Sequence, residues 1–467
     1  MKIQNFNQIH SNTKLSFNDI ENPASLINTS RMTDQFIKMA KVDTGSNEEL
    51  AEKGQIPSTP TQKPFAQNLA VELKEMGLKE VKVDKNGILT ATLPSNIANS
   101  KNLPVIGLIA HMDTSSSVPT GPVNPQIHKN YQGGDIQLNE DVKISEQDLK
   151  GHEGEDVITS DGKTLLGADD KSGIAEIIEV LNIYKDNPEI KHPKIRIAFT
   201  PDEETGMGAD KFNIKKFGAD VAYTLDGGVP QEVENETFNA FNPEVKIKGI
   251  NIHPGYAYGK MVNAIRIAAD FVTGLPKDES PEKTQGKQGY YHPNEIKGDE
   301  SEVIIKNLVR DFNSDRAKER VKFIENLAKR LEEENPGSSI TFTPNYKYGN
   351  MKDKLQELPE VLDYAKEGLK RTGLTAEEQS IRGGTDGSKL TVGIKDKDNP
   401  EISRSLLTPN LGTGMNNIHA KNEFVTVQDM SKCTTNILNI VDVWTEKALS
   451  NEGGIVDKIK QRRTLNN

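Results

Sequence analysis

The 467-residue chain has one cysteine and no long apolar run, and its 58 lysines and arginines are outnumbered by 69 aspartates and glutamates. Its single cysteine, Cys433, cannot form an intramolecular disulfide, and a lone thiol indicates a reducing compartment. The longest apolar runs are far too short to span a bilayer, and residues 1–6 lack the apolar core of a secretory signal. The formal net charge of −11 argues against a nucleic-acid or anionic-membrane partner. We therefore expect a cytoplasmic protein that binds neither nucleic acid nor membrane.

The most informative short stretch is His111-Met112-Asp113, at the end of the apolar run 103–110. This run is rich in β-branched residues and predicts a buried strand. Side chains two apart on a strand point to the same side, so Asp113 can reach one imidazole nitrogen of His111. The other nitrogen would then be free for a metal. Alone, such a motif is more often an ordinary polar loop entry.

Acids also follow other predicted strands or glycine turns. Three further segments bring carboxylates to such positions: Asp169 and Asp170 after Gly167, Glu203 and Glu204 after the strand 194–200, and Asp226 after the strand 221–225. In open α/β sheets, ligands bind outside the carboxyl ends of the strands. Any one of these acids is usually a helix cap or part of a solvated turn. Together with His111, the four segments indicate a metal centre.

The residue types fit a pair of zinc ions. Zinc binds histidine nitrogen and carboxylate oxygen in four- or five-coordinate sites, and two metals about 3.5–4 Å apart need a bridging carboxylate. His111, Asp169, Glu204, Asp226 and one further histidine would supply that set. His419 lies between a glycine-rich loop and a strong helix pattern, a position that suits the fifth ligand. A surface or capping histidine explains His419 equally well from the sequence alone.

The same segments resemble the peptidase T family, the tripeptide aminopeptidases among the co-catalytic two-zinc exopeptidases. The resemblance follows the order and spacing of the segments over roughly residues 31–450. The segments that carry it are 109–115, 164–173, 198–204, 223–228, 381–387 and 419–424. The metal motifs are shared across the wider family, whereas segments 123–127, 131–135 and 161–165 narrow the match to this group.

The resemblance implies two zinc ions per chain and a role for each ligand. His111 and Asp226 would bind one zinc, and Glu204 and His419 would bind the other. Asp169 would bridge both ions, and the peptide bond that follows it is typically cis in this family. Manganese or cobalt can occupy such sites in place of zinc.

The resemblance also assigns four residues that bind no metal. Asp113 would orient the first histidine, and Glu203 would be the general base that takes a proton from the bridging water. His253 would donate to the tetrahedral oxyanion, and Arg382 would bind the terminal carboxylate of the peptide. From the sequence alone, His253 is more often a surface histidine, and an alternative for Arg382 is a structural ion pair.

The pattern along the chain predicts a catalytic domain interrupted by an insertion. The predicted parts are a flexible N-terminal extension (1–30), a mixed-sheet α/β di-zinc catalytic domain (31–239 and 354–450), an inserted α+β ferredoxin-like domain (240–353) and a C-terminal tail (451–467). The order strand-helix-strand-strand-helix-strand is typical of a ferredoxin-like unit. In the family the insertion is the lid and dimerisation domain, so we expect a homodimer.

Periodicity predicts the elements of the insertion. These are strands over 243–249, 302–309 and 338–342, a helix from Lys260, a helix over 314–331 and a polar loop over 275–298. The first helix is expected to bury a stripe made of Met261, Ala264, Ile265 and Ala268.

The implied function is zinc-dependent release of the N-terminal residue from tripeptides by attack of metal-activated water. One alternative is a sibling metallohydrolase (a dipeptidase, aminoacylase or carboxypeptidase) with the same two-metal site and different pocket residues. Another is a catalytically inactive peptide-binding relative, which would normally lack the general base or a ligand, whereas this chain has all of them. Tyr256, Tyr258 and residues 415–418 depart from the family pattern near the expected substrate path.

Overall fold

The structure is a computed structural model that describes residues 23–397, 399 and 401–465. The chain divides into two compact units. The first unit extends through Val233 and includes Glu360–Glu377 and the chain from Asn410, and the second consists of Glu234–Pro359 and Glu378–Pro409. Within the described ranges we find no helix whose length and apolarity would carry it through a bilayer.

The units differ from the predicted domains in several places, and residues 354–359 belong to the second unit rather than to the catalytic domain. The first boundary lies at Val233 rather than at residue 239, and residues 378–409 belong to the second unit rather than to the catalytic domain. The predicted extension includes residues 1–22, which lie outside the described residues. Residues 23–30 are structured, with a 3-10 turn at Pro23–Leu26 followed by the start of a helix.

The helices of the first unit are α1 (Thr29–Ala40), α2 (Glu48–Glu52), α3 (Gln62–Glu75), α4 (Ala168–Asp186), α5 (Ile214–Phe217), α9 (Glu360–Arg371), α11 (Val427–Ser450) and α12 (Ile455–Leu465). Its strands are β1 (Lys79–Val83), β2 (Leu89–Leu93), β3 (Ile106–His111), β4 (Gln126–His128), β5 (Ile136–Gln137), β6 (Lys143–Ile144), β7 (Val157–Thr159), β8 (Ile195–Thr200), β9 (Val221–Gly227), β20 (Asn410–Gly412), β21 (Met415–Asn416) and β22 (Phe424–Thr426). Strands β10 (Glu232–Thr237) and β17 (Glu377–Ile381) run from one unit into the other.

A mixed sheet forms the centre of the first unit. Within this unit its strand order is β1-β2-β8-β3-β9-β20, with antiparallel pairing from β1 to β8 and parallel pairing from β8 to β20. β3 and β8 bury all of their residues, as near-continuous apolar runs predict. His111 lies opposite Thr200, so β3 and β8 end side by side. The mixed sheet confirms the predicted fold class.

Helix α4 starts at the turn that carries Asp169. The residues predicted to form its buried face are all buried: Ile174, Ile177, Ile178 and Leu181. Gly173 lies so close to β9 that an added Cβ would collide with the carbonyl oxygen of Leu225. Only glycine allows this approach, which brings the start of α4 next to the strand that carries Asp226.

A smaller antiparallel sheet, β21-β22-β7-β4, holds the late part of the chain. Phe424 pairs with Thr159, and the loop that carries His419 joins β21 to β22. His419 itself has a positive φ of 61°. The small sheet therefore fixes both ends of the loop that presents this histidine.

The C-terminal segment is a packed helix, although the sequence analysis expected an additional tail over 451–467. Ile455 and Ile459 of α12 are fully buried, and this i, i+4 pair makes one apolar face of the helix. Arg463 forms an ion pair with Asp220 at 2.6 and 2.7 Å. The sequence was interpreted from its basic run 458–463, and the i, i+4 spacing of the two isoleucines was overlooked.

The helices of the second unit are α6 (Ala264–Gly274), α7 (Ser314–Glu334), α8 (Lys352–Leu355) and α10 (Asp386–Val392). Its strands are β11 (Asn239–Phe241), β12 (Glu244–Lys248), β13 (Tyr290–Gly298), β14 (Glu302–Asp311), β15 (Ser339–Thr343), β16 (Tyr346–Tyr348), β18 (Ile394–Lys395) and β19 (Ser403–Arg404). The series β12-α6-β13-β14-α7-β15 confirms the predicted ferredoxin-like order. β15, β12, β14 and β13 pair antiparallel in that sequence, and α6 and α7 share one apolar core with this sheet.

Two predictions within the insertion were wrong. The predicted polar loop over 275–298 contains strand β13, whose Pro293 lies at a bulge and whose second half is exposed. A proline and a polar half-strand are typical of a sheet edge and weaken the strand signal. Helix α6 begins at Ala264 rather than Lys260, and Ile265 is 50% exposed rather than buried. Its buried stripe is Ala264, Ile267, Ala268 and Phe271.

Candidate metal centre

The five candidate ligands all lie in the first unit, each at the end of an element or in a turn. His111 ends β3, Asp169 begins the α4 segment, Glu204 follows β8, Asp226 is near the end of β9 and His419 lies between β21 and β22. Because β8, β3 and β9 are parallel, their carboxyl ends lie together at one end of the sheet.

Asp169 contacts both histidines, one with each carboxylate oxygen. Its Oδ1 is 2.8 Å from Nε2 of His111, and its Oδ2 is 3.0 Å from Nε2 of His419. Oδ1 of Asp226 lies 3.3 Å from the same nitrogen of His111, and Oε2 of Glu204 lies 2.9 Å from that of His419. The five residues therefore form two groups, His111 with Asp226 and His419 with Glu204, joined by Asp169.

The cluster crowds acids and histidines in a buried space. Burial raises the pKa of Glu204 to about 7, and the nearby charge of Asp169 adds to this shift. Burial also raises the pKa of Asp226. Hydrogen bonds to Asp169 and Glu204 raise the pKa of His419 to about 10. The cluster thus retains protons that offset carboxylate repulsion, and a bound cation would relieve the same repulsion.

The donors fit two divalent cations. Within the described chain, Oε1 of Glu204 is buried and has no hydrogen-bond partner, so its lone pairs are available to a cation. Each group combines an imidazole nitrogen with carboxylate oxygens, the donors that zinc takes in proteins. The residues that would hold the ions are His111 with Asp226, His419 with Glu204, and Asp169 between the two groups.

Glu203 and Asp113 lie beside the candidate ligands. One oxygen each from Glu203 and Asp226 and one ring nitrogen of His111 lie within 4.8 Å of one another. Nδ1 of His111 is 3.0 Å from the backbone oxygen of Asp113 and 3.5 Å from its Oδ1. The carboxylate of Asp113 accepts the backbone N–H groups of Glu203 at 2.9 Å and Glu204 at 3.2 Å. Asp113 therefore holds the turn of both glutamates, a contact that the sequence analysis missed.

Two further buried carboxyl groups hold the ligand-bearing segments. Glu423 accepts three backbone N–H groups from residues 166–169, at 2.7, 2.8 and 3.0 Å. Asp170 accepts the backbone N–H of His111 at 3.0 Å, and the Asp169-Asp170 peptide bond is cis, as the resemblance implies. Neither role could be predicted from the sequence, because both contacts join segments far apart along the chain.

A third cluster of possible ligands in the described part of the first unit consists of His152, Glu155 and Asp429. Nζ of Lys432 lies 3.2 Å from Glu155 and 2.7 Å from Asp429. An ammonium group therefore already balances these two carboxylates, which distinguishes this cluster from the one around Asp169.

His253 lies in the second unit and is exposed. Its Nδ1 accepts the backbone N–H of Gly255 at 3.1 Å, and its ring centroid is 5.4 Å from that of Tyr256. Tyr256 is 75% exposed and Tyr258 is fully exposed. His253 and the two tyrosines that differ from the family pattern thus form one exposed aromatic segment.

Arg382 also lies in the second unit, where its guanidinium bonds to a neighbouring loop. Nη1 donates to two backbone carbonyls of the loop 284–288, at 2.7 and 2.9 Å, and Nη2 donates to the hydroxyl of Thr284 at 3.1 Å. The group lies 5.2 Å from the ring of Phe238 and 5.7 Å from that of Tyr290. These contacts fix the guanidinium in place through carbonyl and hydroxyl oxygens.

The chain is similar in sequence to known peptidases, both by family model and by individual relatives. The family model described as Peptidase family M20/M25/M40 matches residues 158–442. A relative named Peptidase T from Bacillus pumilus is 42% identical over 422 residues, which cover 89% of this chain and 99% of the relative.

Solved structures with the same fold include three bacterial enzymes. They are the aminopeptidase PepT from Bacillus cereus (23% identity, TM-score 0.67, covering 90% of this chain and 100% of that one), a tripeptidase from Staphylococcus aureus (24%, 0.67, 90% and 100%) and a dinuclear metal-binding peptidase of the M20 family from Bacillus subtilis (12%, 0.58, 90% and 98%). At these identities the likeness is one of fold.

Proposed function

Because the chain belongs to peptidase family M20/M25/M40, we propose that it is a metal-dependent aminopeptidase that releases the N-terminal residue of tripeptides. The observation that carries the proposal is the pair of contacts made by Asp169, which faces His111 with one oxygen and His419 with the other. A carboxylate placed between two imidazoles is what a two-metal hydrolase needs as its bridge.

The proposed cofactor is a pair of zinc ions, for which manganese or cobalt can substitute. When bound, such ions supply Lewis-acid chemistry, which acidifies water and polarises the scissile carbonyl group. Histidine and carboxylate donors suit all three metals, so the residues themselves do not select among them.

Glu203 is the proposed general base. It would take a proton from the attacking water and pass it to the leaving amine. Its backbone N–H is held by Asp113, whose second oxygen holds the N–H of Glu204. The buried carboxylate of Asp113 thus holds the backbone of both the proposed base, Glu203, and the candidate ligand, Glu204.

Two residues of the second unit are proposed to act on the substrate. His253 would donate a hydrogen bond to the charge that develops on the carbonyl oxygen. Arg382 would bind the terminal carboxylate of the peptide, a stronger acceptor than the carbonyl oxygens it contacts now. A peptide held at both ends has a fixed span, which supports a preference for tripeptides.

The remaining parts of the proposal concern assembly and location. The second unit would serve as the lid and dimerisation domain of a cytoplasmic homodimer. Sedimentation equilibrium of the purified chain tests the assembly, and a single monomeric species at micromolar concentration would contradict it.

The test of the proposed function combines metal analysis with a peptide series. We expect two tightly bound ions per chain, and cleavage of trialanine in preference to dialanine and tetraalanine. Asp169→Ala should leave at most one ion, whereas the control Asp220→Ala, which removes an acid paired with Arg463, should retain both. At most one ion in the wild type, unchanged by Asp169→Ala, would contradict the two-metal site. Faster cleavage of dialanine than of trialanine would instead support a dipeptidase that uses the same two-metal site.

A further inference from the structure

The turn between β8 and the two catalytic-site glutamates contains a residue in a rarely used conformation. Asp202 has a φ of 56° and is fully buried. Left-handed backbone is unfavourable for a residue other than glycine and persists when the surroundings fix it. Glu203 and Glu204 follow directly, so the conformation of Asp202 sets the direction in which both side chains leave the turn.

Two polar side chains hold the carboxylate of Asp202. Ser58 donates its backbone N–H to Oδ2 at 2.7 Å and its hydroxyl to Oδ1. Gln62 donates to Oδ1 at 2.8 Å, and its own oxygen accepts the backbone N–H of Asp202 at 3.2 Å. Ser58, Gln62 and Asp202 are all fully buried, and we call these three residues the Asp202 clamp.

The clamp adds to a turn that is already closed. The backbone carbonyl of Asp202 accepts the N–H groups of Met207 at 3.1 Å and Gly208 at 3.0 Å, and the hydroxyl of Thr205 at 3.0 Å. These local bonds shape the turn but do not fix it to the rest of the unit. The clamp supplies that connection, because Gln62 begins α3, whose apolar face is buried.

Asp113 holds the next two residues of the same turn. It binds the backbone N–H groups of Glu203 and Glu204, the two residues after Asp202. The segment 202–204 is therefore fixed at three successive residues by two buried carboxylates. A surface turn can close with its local bonds alone, whereas this turn is also held by the Asp202 clamp and by Asp113. Both sets of bonds fix the backbone from which the side chains of Glu203 and Glu204 extend.

We propose that Ser58 and Gln62 are positioning residues of the peptidase reaction, which act through Asp202 to direct Glu203 at the attacking water and Glu204 at the metal centre. The proposal rests on the proposed function for the roles of the two glutamates. In the described part of the chain, neither Ser58 nor Gln62 forms a hydrogen bond with a candidate ligand, so their effect would be transmitted by the backbone of the turn. Residues that orient a metal site in this way typically change activity or metal affinity about 10- to 100-fold when removed.

The test uses a series at Asp202 that separates backbone conformation from the clamp. Asp202→Gly accepts a positive φ without strain but has no carboxylate, and Asp202→Asn tolerates the same φ and keeps one acceptor oxygen. We expect kcat on trialanine to fall about 10- to 100-fold in Asp202→Gly and less in Asp202→Asn. KM should change little, because the clamp does not bind substrate. Wild-type kcat in Asp202→Gly would overturn the proposal.

Comparison of Gln62→Ala with a matched control separates a specific loss of kcat from a general loss of stability. Asn439→Ala removes another buried amide of the first unit, which bonds to Thr372 and to no residue of the site. We expect both variants to lose similar thermal stability and only Gln62→Ala to lose kcat. Equal kcat in Gln62→Ala and Asn439→Ala would overturn the proposal, and this comparison remains decisive if Asp202→Gly does not fold.

A second readout does not depend on activity. In the metal-free protein, hydrogen exchange of the segment 201–208 should accelerate in Gln62→Ala and stay at the wild-type rate in Asn439→Ala. Unchanged exchange in Gln62→Ala would contradict the clamp as a positioning device. If the wild type did not cleave tripeptides, the proposed function would fail, while the exchange experiment would still decide whether the clamp orders the turn.

Discussion

In the first unit the candidate site residues contact one another, whereas in the second unit they contact their own loops. Asp169 lies within 3.0 Å of both histidines, and Asp113 binds the backbone of both glutamates. His253 instead caps its own short turn, and Arg382 bonds to the loop 284–288. The candidate metal ligands thus lie together within one unit, and the two residues of the other unit that are proposed to bind substrate have local hydrogen-bond partners.

This difference indicates how the two units would divide the work. Groups that must act together at the reacting atoms need geometry fixed before substrate arrives, since preorganised groups need no rearrangement during the reaction. Groups that recognise the far end of a substrate, or that complete the site on closure, can exchange local partners for substrate. Substitution of the candidate site residues in the first unit should therefore lower turnover most, and substitution of His253 or Arg382 in the second should lower it in ways that depend on the substrate.

The largest effect is expected for Glu203→Gln. Glutamine preserves the shape of the side chain but cannot accept the proton of water, and a general base contributes about 10²–10⁴ in rate. We expect kcat on trialanine to fall by that range while the metal content stays at two ions. Glu179→Gln, the same chemical change at a buried residue paired with Arg31, is the control. A Glu203→Gln enzyme that kept more than about a tenth of the wild-type rate would exclude Glu203 as the base.

The second prediction tests whether His253 of the second unit stabilises charge on the reacting carbonyl oxygen. Loss of one oxyanion donor typically costs about 10²–10³ in kcat. His253→Ala should therefore lower kcat within that range and leave KM nearly unchanged, because the hydrogen bond forms only as charge develops. His292→Ala, which removes the other histidine of the second unit, should keep both constants. A change confined to KM would show that His253 binds substrate rather than the transition state.

Local periodicity explains which site residues could be predicted from the sequence. His111 and Asp226 follow apolar strands, and parallel strands bring their carboxyl ends together, so proximity follows from pattern alone. The contacts of Asp113 with the next turn could not be predicted in this way, because they depend on how two loops cross in space. The roles of Glu423 and Ser58 were missed for the same reason, since each binds backbone or carboxylate far away along the chain.

The fold shows a similar limit. The strands and helices with a clean apolar period were predicted, including the α7 face that ends at Leu331. β13 was missed because an edge strand need bury only part of its length and tolerates Pro293. The helix over Ile455–Leu465 was missed because the basic run 458–463 drew attention away from the i, i+4 spacing of its buried isoleucines.

The third prediction concerns the carboxyl end of the substrate. Hydrogen bonds to a charged group are worth about 1.5–3 kcal/mol, which corresponds to roughly a 10- to 150-fold change in kcat/KM. Arg382→Ala should lower kcat/KM on a tripeptide by this amount, and so should a C-terminal amide offered to the wild-type enzyme. The amide should cost the Arg382→Ala enzyme nothing further, because the interaction is already lost.

The control for this comparison is Arg404→Ala, a buried arginine of the second unit that pairs with Asp396. It should retain the wild-type preference for the free acid over the amide, even though it loses stability. Equal cleavage of acid and amide by the wild-type enzyme would show that Arg382 does not bind a carboxylate. Its contacts with the loop 284–288 would then be its whole role.

The smallest effect concerns the stability of the second unit rather than its chemistry. Burial opposes ionisation of Glu236, but hydrogen bonds from Lys287 at 2.5 Å, Ser380 at 2.8 Å and Lys352 at 3.1 Å lower its pKa to about 2. A depressed carboxyl pKa contributes stability that is present above the ordinary value of 4.5 and is lost as pH falls towards about 2. Glu236→Gln should therefore destabilise at pH 7 by about 1.5–3 kcal/mol.

Measurement of the unfolding free energy of both proteins between pH 7 and pH 2 checks this prediction. The difference between wild type and Glu236→Gln should shrink as pH falls from 4.5 towards about 2, because the carboxyl group binds a proton first in the unfolded chain and only near pH 2 in the folded protein. Glu302→Gln is the matched control, because Glu302 pairs with Lys246 on the surface of the same unit and exposed pairs contribute about 0–1 kcal/mol. A difference for Glu236→Gln that stayed constant with pH would mean that packing, rather than the charge on Glu236, stabilises this part of the second unit.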